Sequence, residues 1–183
     1  AIVPVHYAGV GCEMDIIQKI SKRFNISIIE DNAHGLMGYY KNKQLGTFGK
    51  FSTLSFHETK NFSCGEGGAL IINNPSDITR SEIIREKGTN RTAFFRNEIQ
   101  KYSWVDIGSS YLPSDMLAGF LYAQLEIKDI IQAKREKLWN YYFINLSNWA
   151  KENDIRLPFV PNYCEQSYHM FYLLFPNKEN RTK

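Results

Sequence analysis

The chain has 183 residues, 43% of them hydrophobic and 14% aromatic, and a formal net charge of +3. That apolar content is enough for a packed core and excludes global disorder. The small charge, with bases scattered among acids, excludes the basic face that a nucleic-acid binder would present. No apolar run approaches the roughly 20 residues needed to span a bilayer, so no membrane partner is expected. The three cysteines, Cys12, Cys64 and Cys164, are odd in number and far apart, which argues against a disulfide framework and for a reducing, cytoplasmic setting. The chain opens Ala1-Ile-Val-Pro-Val-His6 without an initiator methionine and stops abruptly at Lys183, so a piece of a longer polypeptide is expected.

Ile2 to His6 reads as a short buried strand. Met14, Ile16, Ile17, Ile20 and Phe24 then recur at helical spacing, and Ile26 to Glu30 is the next strand. Strand, helix and strand in so short a span make a βαβ unit, which implies a parallel sheet covered by helices. Ligands of such sheets gather at the carboxyl ends of the strands, where Asp31 stands. Gly35, Gly38, Gly46 and Gly49 mark loops and a small hairpin. Strands follow at Phe51 to Phe56 and Ala69 to Ile72, with a glycine-rich turn between them. Ser76 is the expected cap of a helix from Asp77 to Lys87, closed by Gly88. Residues 89–112 read as irregular. From Ser114 to about Trp149 the pattern is helical, long enough to expect a break near Asp129. Tyr168 to Phe175 reads as a strand opening a smaller domain.

Lys60 is the most informative residue. It stands in Ser55-Phe-His-Glu-Thr-Lys60, after an apolar run and before the turn of Gly65, Gly67 and Gly68, whose glycines let the backbone fold tightly behind it. A lysine held there, with a strand-end carboxylate at Asp31, meets the needs of a pyridoxal-phosphate enzyme. The lysine forms the Schiff base, and the carboxylate pairs with the protonated pyridine nitrogen. Ser55 can direct its hydroxyl at a phosphate from the same loop, and His34 can stand at the cofactor's phenolic oxygen or ring face. Two other patterns fail. His57-Glu58-Thr-Lys-Asn61 puts asparagine where a zinc protease needs its second histidine, and Gly65-Glu-Gly-Gly68 lacks the spacing of a nucleotide loop.

The order and spacing of Glu30-Asp31-x-Ala-His34, Leu45-Gly-Thr-x-Gly49, Ser55-Phe-His-x-x-Lys60 and Gly65-Glu-Gly-Gly68 resemble the DegT/DnrJ/EryC1/StrS sugar aminotransferases. These are fold-type-I pyridoxal-phosphate enzymes, and the resemblance runs through Gln124-Leu125 to the region of His169. It implies an α/β fold: a large aspartate-aminotransferase-like domain with a mainly parallel sheet, plus the start of a small α+β C-terminal domain. Residues 1–112 would belong to the large domain, 113–149 to connecting helices and 150–183 to the small domain.

By the same resemblance Lys60 is catalytic and holds pyridoxal 5'-phosphate, with Asp31, His34 and Ser55 as cofactor-binding residues. Three segments, Ser55 to Asn61, Glu82 to Arg91 and Asp106 to Leu112, are most similar to dTDP-4-amino-4,6-dideoxygalactose transaminases. Those enzymes move an amino group from L-glutamate to the C4 ketone of a nucleotide-linked 4-keto-6-deoxyhexose. They serve cell-surface polysaccharide pathways such as enterobacterial common antigen and lipopolysaccharide. A homodimer with shared active sites is implied. Arg85, Lys87 and Arg91 are candidates for the diphosphate of the sugar nucleotide, on charge alone. Relatives carry an asparagine near Ser110 for the neighbouring subunit's cofactor phosphate; Ser109-Ser110-Tyr111 departs from that. Lys60 argues against the related sugar dehydratases, which have histidine there. A non-catalytic relative is the remaining alternative, disfavoured by Lys60, Asp31 and Ser55 occurring together.

Overall fold

A computed structural model describes residues 1–182. The amphipathic pattern after Glu13 forms α1 (Met14–Phe24), closed by Asn25 in the left-handed region with φ 50°. Its return leads into β1 (Ile29–Asp31). The N-terminal segment pairs parallel to β1 through bridges at Ile2–Ile28 and Val5–Asp31, so the expected βαβ unit forms. β4 (Phe51–Ser55) lies parallel on the other side of β1, with Asp31 opposite Thr53. β5 (Gly68–Ile72) pairs antiparallel with β4, because residues 56–67 between them form turns rather than a crossover helix. The sheet is therefore mixed, parallel except at the β5 edge.

The small hairpin forms as β2 (Tyr39–Tyr40) and β3 (Lys43–Gln44), and β6 (Cys164–Glu165) joins it antiparallel. Met14, Ile28, Tyr40, Leu45 and Cys164 pack into one core beneath this second sheet. A second core gathers Phe56, Phe62 and Cys64 against Leu117, Leu121, Leu125 and Ile131.

The later helices depart from expectation in detail. Ser76 does not cap: its amide donates to the Asn74 side chain, and a 3-10 turn at Pro75–Asp77 precedes α2 (Ile78–Arg85). Asn74 competes for the cap and wins because Pro75, lacking an N–H, suits the first position after it. A short α3 (Arg91–Phe95) lies within the stretch read as irregular. Ser114 caps α4 (Asp115–Glu126) through the Leu117 amide, and the chain breaks at Ile127, two residues before Asp129, into α5 (Lys128–Glu152). The strand expected at Tyr168 to Phe175 does not form; among the described residues an isolated bridge between Arg156 and Leu174 is all that pairs there. Its carbonyls are captured elsewhere. Gln132 donates to Ser167 O, Arg135 to Tyr168 O and His169 O, and the Trp139 indole to Met170 O. These donors recur every three or four residues on α5, so one helix face holds the segment by its backbone. α6 (Lys178–Thr182) follows.

Candidate active site

Glu30 organises the floor of the site. It is wholly buried, and its Oε1 accepts from the amides of Phe48 and Gly49, both at 2.7 Å. Its Oε2 accepts from the Gly46 amide at 2.8 Å and from His6 Nε2 at 2.9 Å. The Cys12 amide donates to His6 Nδ1, which leaves the ring proton on Nε2, facing the carboxylate. Burial alone would push the Glu30 carboxyl up, but His6 and the three amides outweigh it and hold it below the usual carboxylate range. The glycines are needed here. Gly46 has φ +92°, and a Cβ on Gly49 would stand 2.6 Å from the Ile28 carbonyl. The motif Leu45-Gly-Thr-x-Gly49 is thus a carboxylate-binding loop that fixes the end of β1.

Asp31 is the last residue of β1, and its Oδ1 accepts from the Ala33 amide at 3.1 Å. His34 follows on the loop. Its Nδ1 accepts from the Ala8 amide at 3.2 Å, so its ring proton lies on Nε2. Burial and the Lys60 charge hold its pKa below 6.5, against an opposing pull from Asp31, and it is neutral at pH 7. Ser55 ends β4; its hydroxyl accepts weakly from the His57 amide at 3.4 Å, which leaves its own proton to donate. Lys60 lies in the β4–β5 turn and forms no ion pair among the described residues. The turn is anchored rather than loose. Phe62 is buried beneath it, and the Gln124 side chain of α4 takes both the amide and the carbonyl of Ser63, at 3.1 and 2.5 Å.

His34, Ser55 and Lys60 line one small pocket, together with Ala33, Asn61 and His169. Three of the four residues expected from the sequence therefore converge, and Asp31 stands beside them, its charge felt by His34. Local pattern gave no role to His169. Its ring stacks on His34 with centroids 4.1 Å apart. Its Nδ1 meets Asn61 Oδ1 at 2.8 Å. Burial, then His34, Lys60 and Arg135, push its pKa down to about 4. The run Ser167-Tyr-His169 within the resembling region was the one available signal. Arg91 is committed elsewhere: it pairs with Glu86 and stacks over Phe95 and Tyr102. Lys87 lies 4.0 Å from the same Glu86 carboxylate. Neither lines the pocket.

The aminotransferase family model described as DegT/DnrJ/EryC1/StrS matches residues 1–183. The chain belongs to that family. Protein MJ1066 of Methanocaldococcus jannaschii is 35% identical over 192 residues, covering 100% of this chain and 48% of that one. The UDP-4-amino-4,6-dideoxy-N-acetyl-beta-L-altrosamine transaminase of Campylobacter jejuni is 29% identical over 177 residues, covering 96% and 45%. The crystal structure of Helicobacter pylori PseC, an aminotransferase involved in pseudoaminic acid biosynthesis, superposes with a TM-score of 0.83 at 26% identity. It covers 100% of this chain and 47% of that one. The chain thus spans about half the length of the curated relatives it matches. Pyridoxal phosphate is the cofactor of the family. The residues present fit it: a lysine without an ion pair among the described residues, a serine hydroxyl with its proton to give, a histidine N–H and a strand-end carboxylate, all at the carboxyl ends of β1 and β4.

Proposed function

We propose that the chain carries the reactive half-site of a pyridoxal-phosphate aminotransferase acting on a nucleotide sugar. The observation that carries this reading is the pocket that joins Lys60, Ser55 and His34 beside Asp31. Lys60 Nζ would bind the cofactor, Asp31 would pair with its ring nitrogen, Ser55 Oγ would donate to its phosphate, and His34 Nε2–H would donate to its phenolic oxygen. When bound, pyridoxal phosphate supplies an aldehyde that takes up amines and a ring that stores the electron pair left by a departing proton. Lys60 Nζ would take that proton from the donor carbon and deliver it to the former aldehyde carbon of the cofactor, acting as base and then acid. Neutral His34 keeps its N–H as a donor throughout, since burial and Lys60 disfavour a second proton.

By family resemblance the amino donor is L-glutamate and the acceptor the C4 ketone of a nucleotide-linked 4-keto-6-deoxyhexose. The transaminase from Campylobacter jejuni supports a 4-amino sugar as product, and the segments Ser55 to Asn61, Glu82 to Arg91 and Asp106 to Leu112 resemble the dTDP-4-amino-4,6-dideoxygalactose transaminases. The same reading brings a cytoplasmic homodimer with shared sites. Met116 and Phe120 on α4, 84% and 62% exposed, are apolar surface that such an assembly would cover.

Capture tests the core of the proposal. Pyridoxal phosphate is added to the purified chain and the complex is reduced with borohydride, digested and analysed by mass spectrometry. One pyridoxyl group on Lys60, lost in Lys60→Ala, is the expected result. Label scattered over surface lysines, or equal labelling in Lys60→Ala, would sink it. Conversion of L-glutamate to 2-oxoglutarate with dTDP- or UDP-linked 4-keto sugar then identifies the nucleotide.

A further inference from the structure

Two imidazoles stack in the Lys60 pocket, and the backbone fixes one of them. The Ala8 amide occupies His34 Nδ1, so His34 presents an N–H from Nε2. The state of His169 depends on one side chain, Asn61, the residue that follows Lys60. An asparagine amide can be read in either orientation unless a partner decides it. Here one does: Asn61 Nδ2 lies 2.7 Å from the Ser167 carbonyl, which can only accept. The amide nitrogen is therefore committed to Ser167, and Oδ1 is the atom 2.8 Å from His169 Nδ1. An oxygen acceptor requires a proton on Nδ1.

Ser167 makes this assignment rigid. It is wholly buried and all its polar groups are engaged. Its amide donates to Gly9 O, its hydroxyl donates to His34 O, and its carbonyl accepts from Gln132 as well as Asn61. The Asn61 amide can rotate only by losing its bond to this anchored carbonyl.

We propose that Asn61 is a positioning residue that locks His169 as its Nδ1–H tautomer, leaving Nε2 as a bare hydrogen-bond acceptor in the Lys60 pocket. The stacked pair then presents one donor, from His34, and one acceptor, from His169. The acceptor takes a hydroxyl of the sugar substrate; that use rests on the reading of Lys60 as the reactive group, whereas the tautomer does not. The charged and titratable groups facing His169 are His34 from the loop after β1, Lys60 from the β4–β5 turn and Arg135 from α5. All are cationic or potentially so, and all oppose a second proton on the ring.

The test is nitrogen-15 NMR of the histidine rings in the cofactor-free chain, which distinguishes protonated from bare nitrogens at each site. Wild type is expected to show His169 with Nδ1 protonated and Nε2 bare from pH 8 down to near pH 5, since its pKa lies at about 4. Asn61→Leu removes the acceptor, and His169 should shift toward the Nε2–H form. Asn61→Asp keeps an oxygen within reach of His169 Nδ1, gives up the bond to the Ser167 carbonyl and adds a charge, and should raise the His169 midpoint by about one to three units. A wild-type spectrum with the proton on Nε2 would overturn the proposal. So would an Asn61→Leu spectrum unchanged from wild type. If Asn61→Leu fails to fold, Asn61→Asp decides by the same signal: an unmoved midpoint refutes the lock. Because no cofactor is present, a failure here is separable from a failure of Lys60 to take up pyridoxal phosphate.

Discussion

Glu30 accepts four hydrogen bonds on two oxygens while wholly removed from water. A buried charge so fully paired is costly to break from one side, because its partners are left facing nothing. Glu30→Gln should destabilise the chain by about 3 kcal/mol, read from the urea midpoint. An amide there would turn an N–H toward donors it cannot satisfy. The pH dependence has a definite sign. The folded Glu30 carboxyl is held below its unfolded value, so it adds stability above about pH 4.3 and loses it as pH falls through the folded value. His169 acts in the same direction over a higher window. Its folded pKa of about 4 lies below 6.5, so only the unfolded chain takes up a proton between those values, and stability falls as pH drops from 6.5 toward 4. Thermal melts across that window should show a slope for wild type, flattened in His169→Gln.

The β4–β5 turn owes its shape to α4. Gln124 imitates a strand edge, accepting from Ser63 N and donating to Ser63 O, while Phe62 fills the core beneath. This leaves Lys60 on a fixed platform between two anchored points. Gln124→Met keeps a helix-forming residue of similar size but leaves the Ser63 amide and carbonyl without this partner, at a cost of about 2 kcal/mol. Hydrogen exchange should report it locally, with the Ser63 amide losing protection. The Cys64 amide, which bonds to Phe56 O, should retain it. Equal loss at both amides would mean that the turn depends on the core alone.

Across the whole molecule, α5 joins the β1 end to the segment 167–170. Gln132, Arg135 and Trp139 hold successive carbonyls of that segment, and Ser167 ties it to Gly9 and His34. Arg135→Met should free two carbonyls and speed limited proteolysis near Tyr168, with α5 helicity unchanged by circular dichroism. It should also raise the His169 midpoint, because the Arg135 charge is one of the groups that suppress it. Faster cleavage without that rise would place Arg135 too far from the ring to act on its charge.

Local pattern was enough for α1, β1, β4, the hairpin of β2 and β3, and the turn that carries Lys60, since each is written in spacing of apolar residues and in glycines within a few positions. Motif order also named Lys60, Asp31, His34 and Ser55 as a candidate set, of which Asp31 and Ser55 end strands and His34 and Lys60 lie in the loops that follow. The tertiary structure alone decided the rest. Tyr168 to Phe175 has the composition of a strand, yet side chains of α5 hold the carbonyls of Tyr168, His169 and Met170, and among the described residues the segment pairs with another only at the Arg156–Leu174 bridge. β5 is antiparallel because of where its turn returns, which its own residues do not encode. His169 meets Asn61 across 108 positions of chain, and its proton is placed by an amide that Ser167 orients. Periodicity records neighbours along the chain; the tautomer of a histidine is set by neighbours in space.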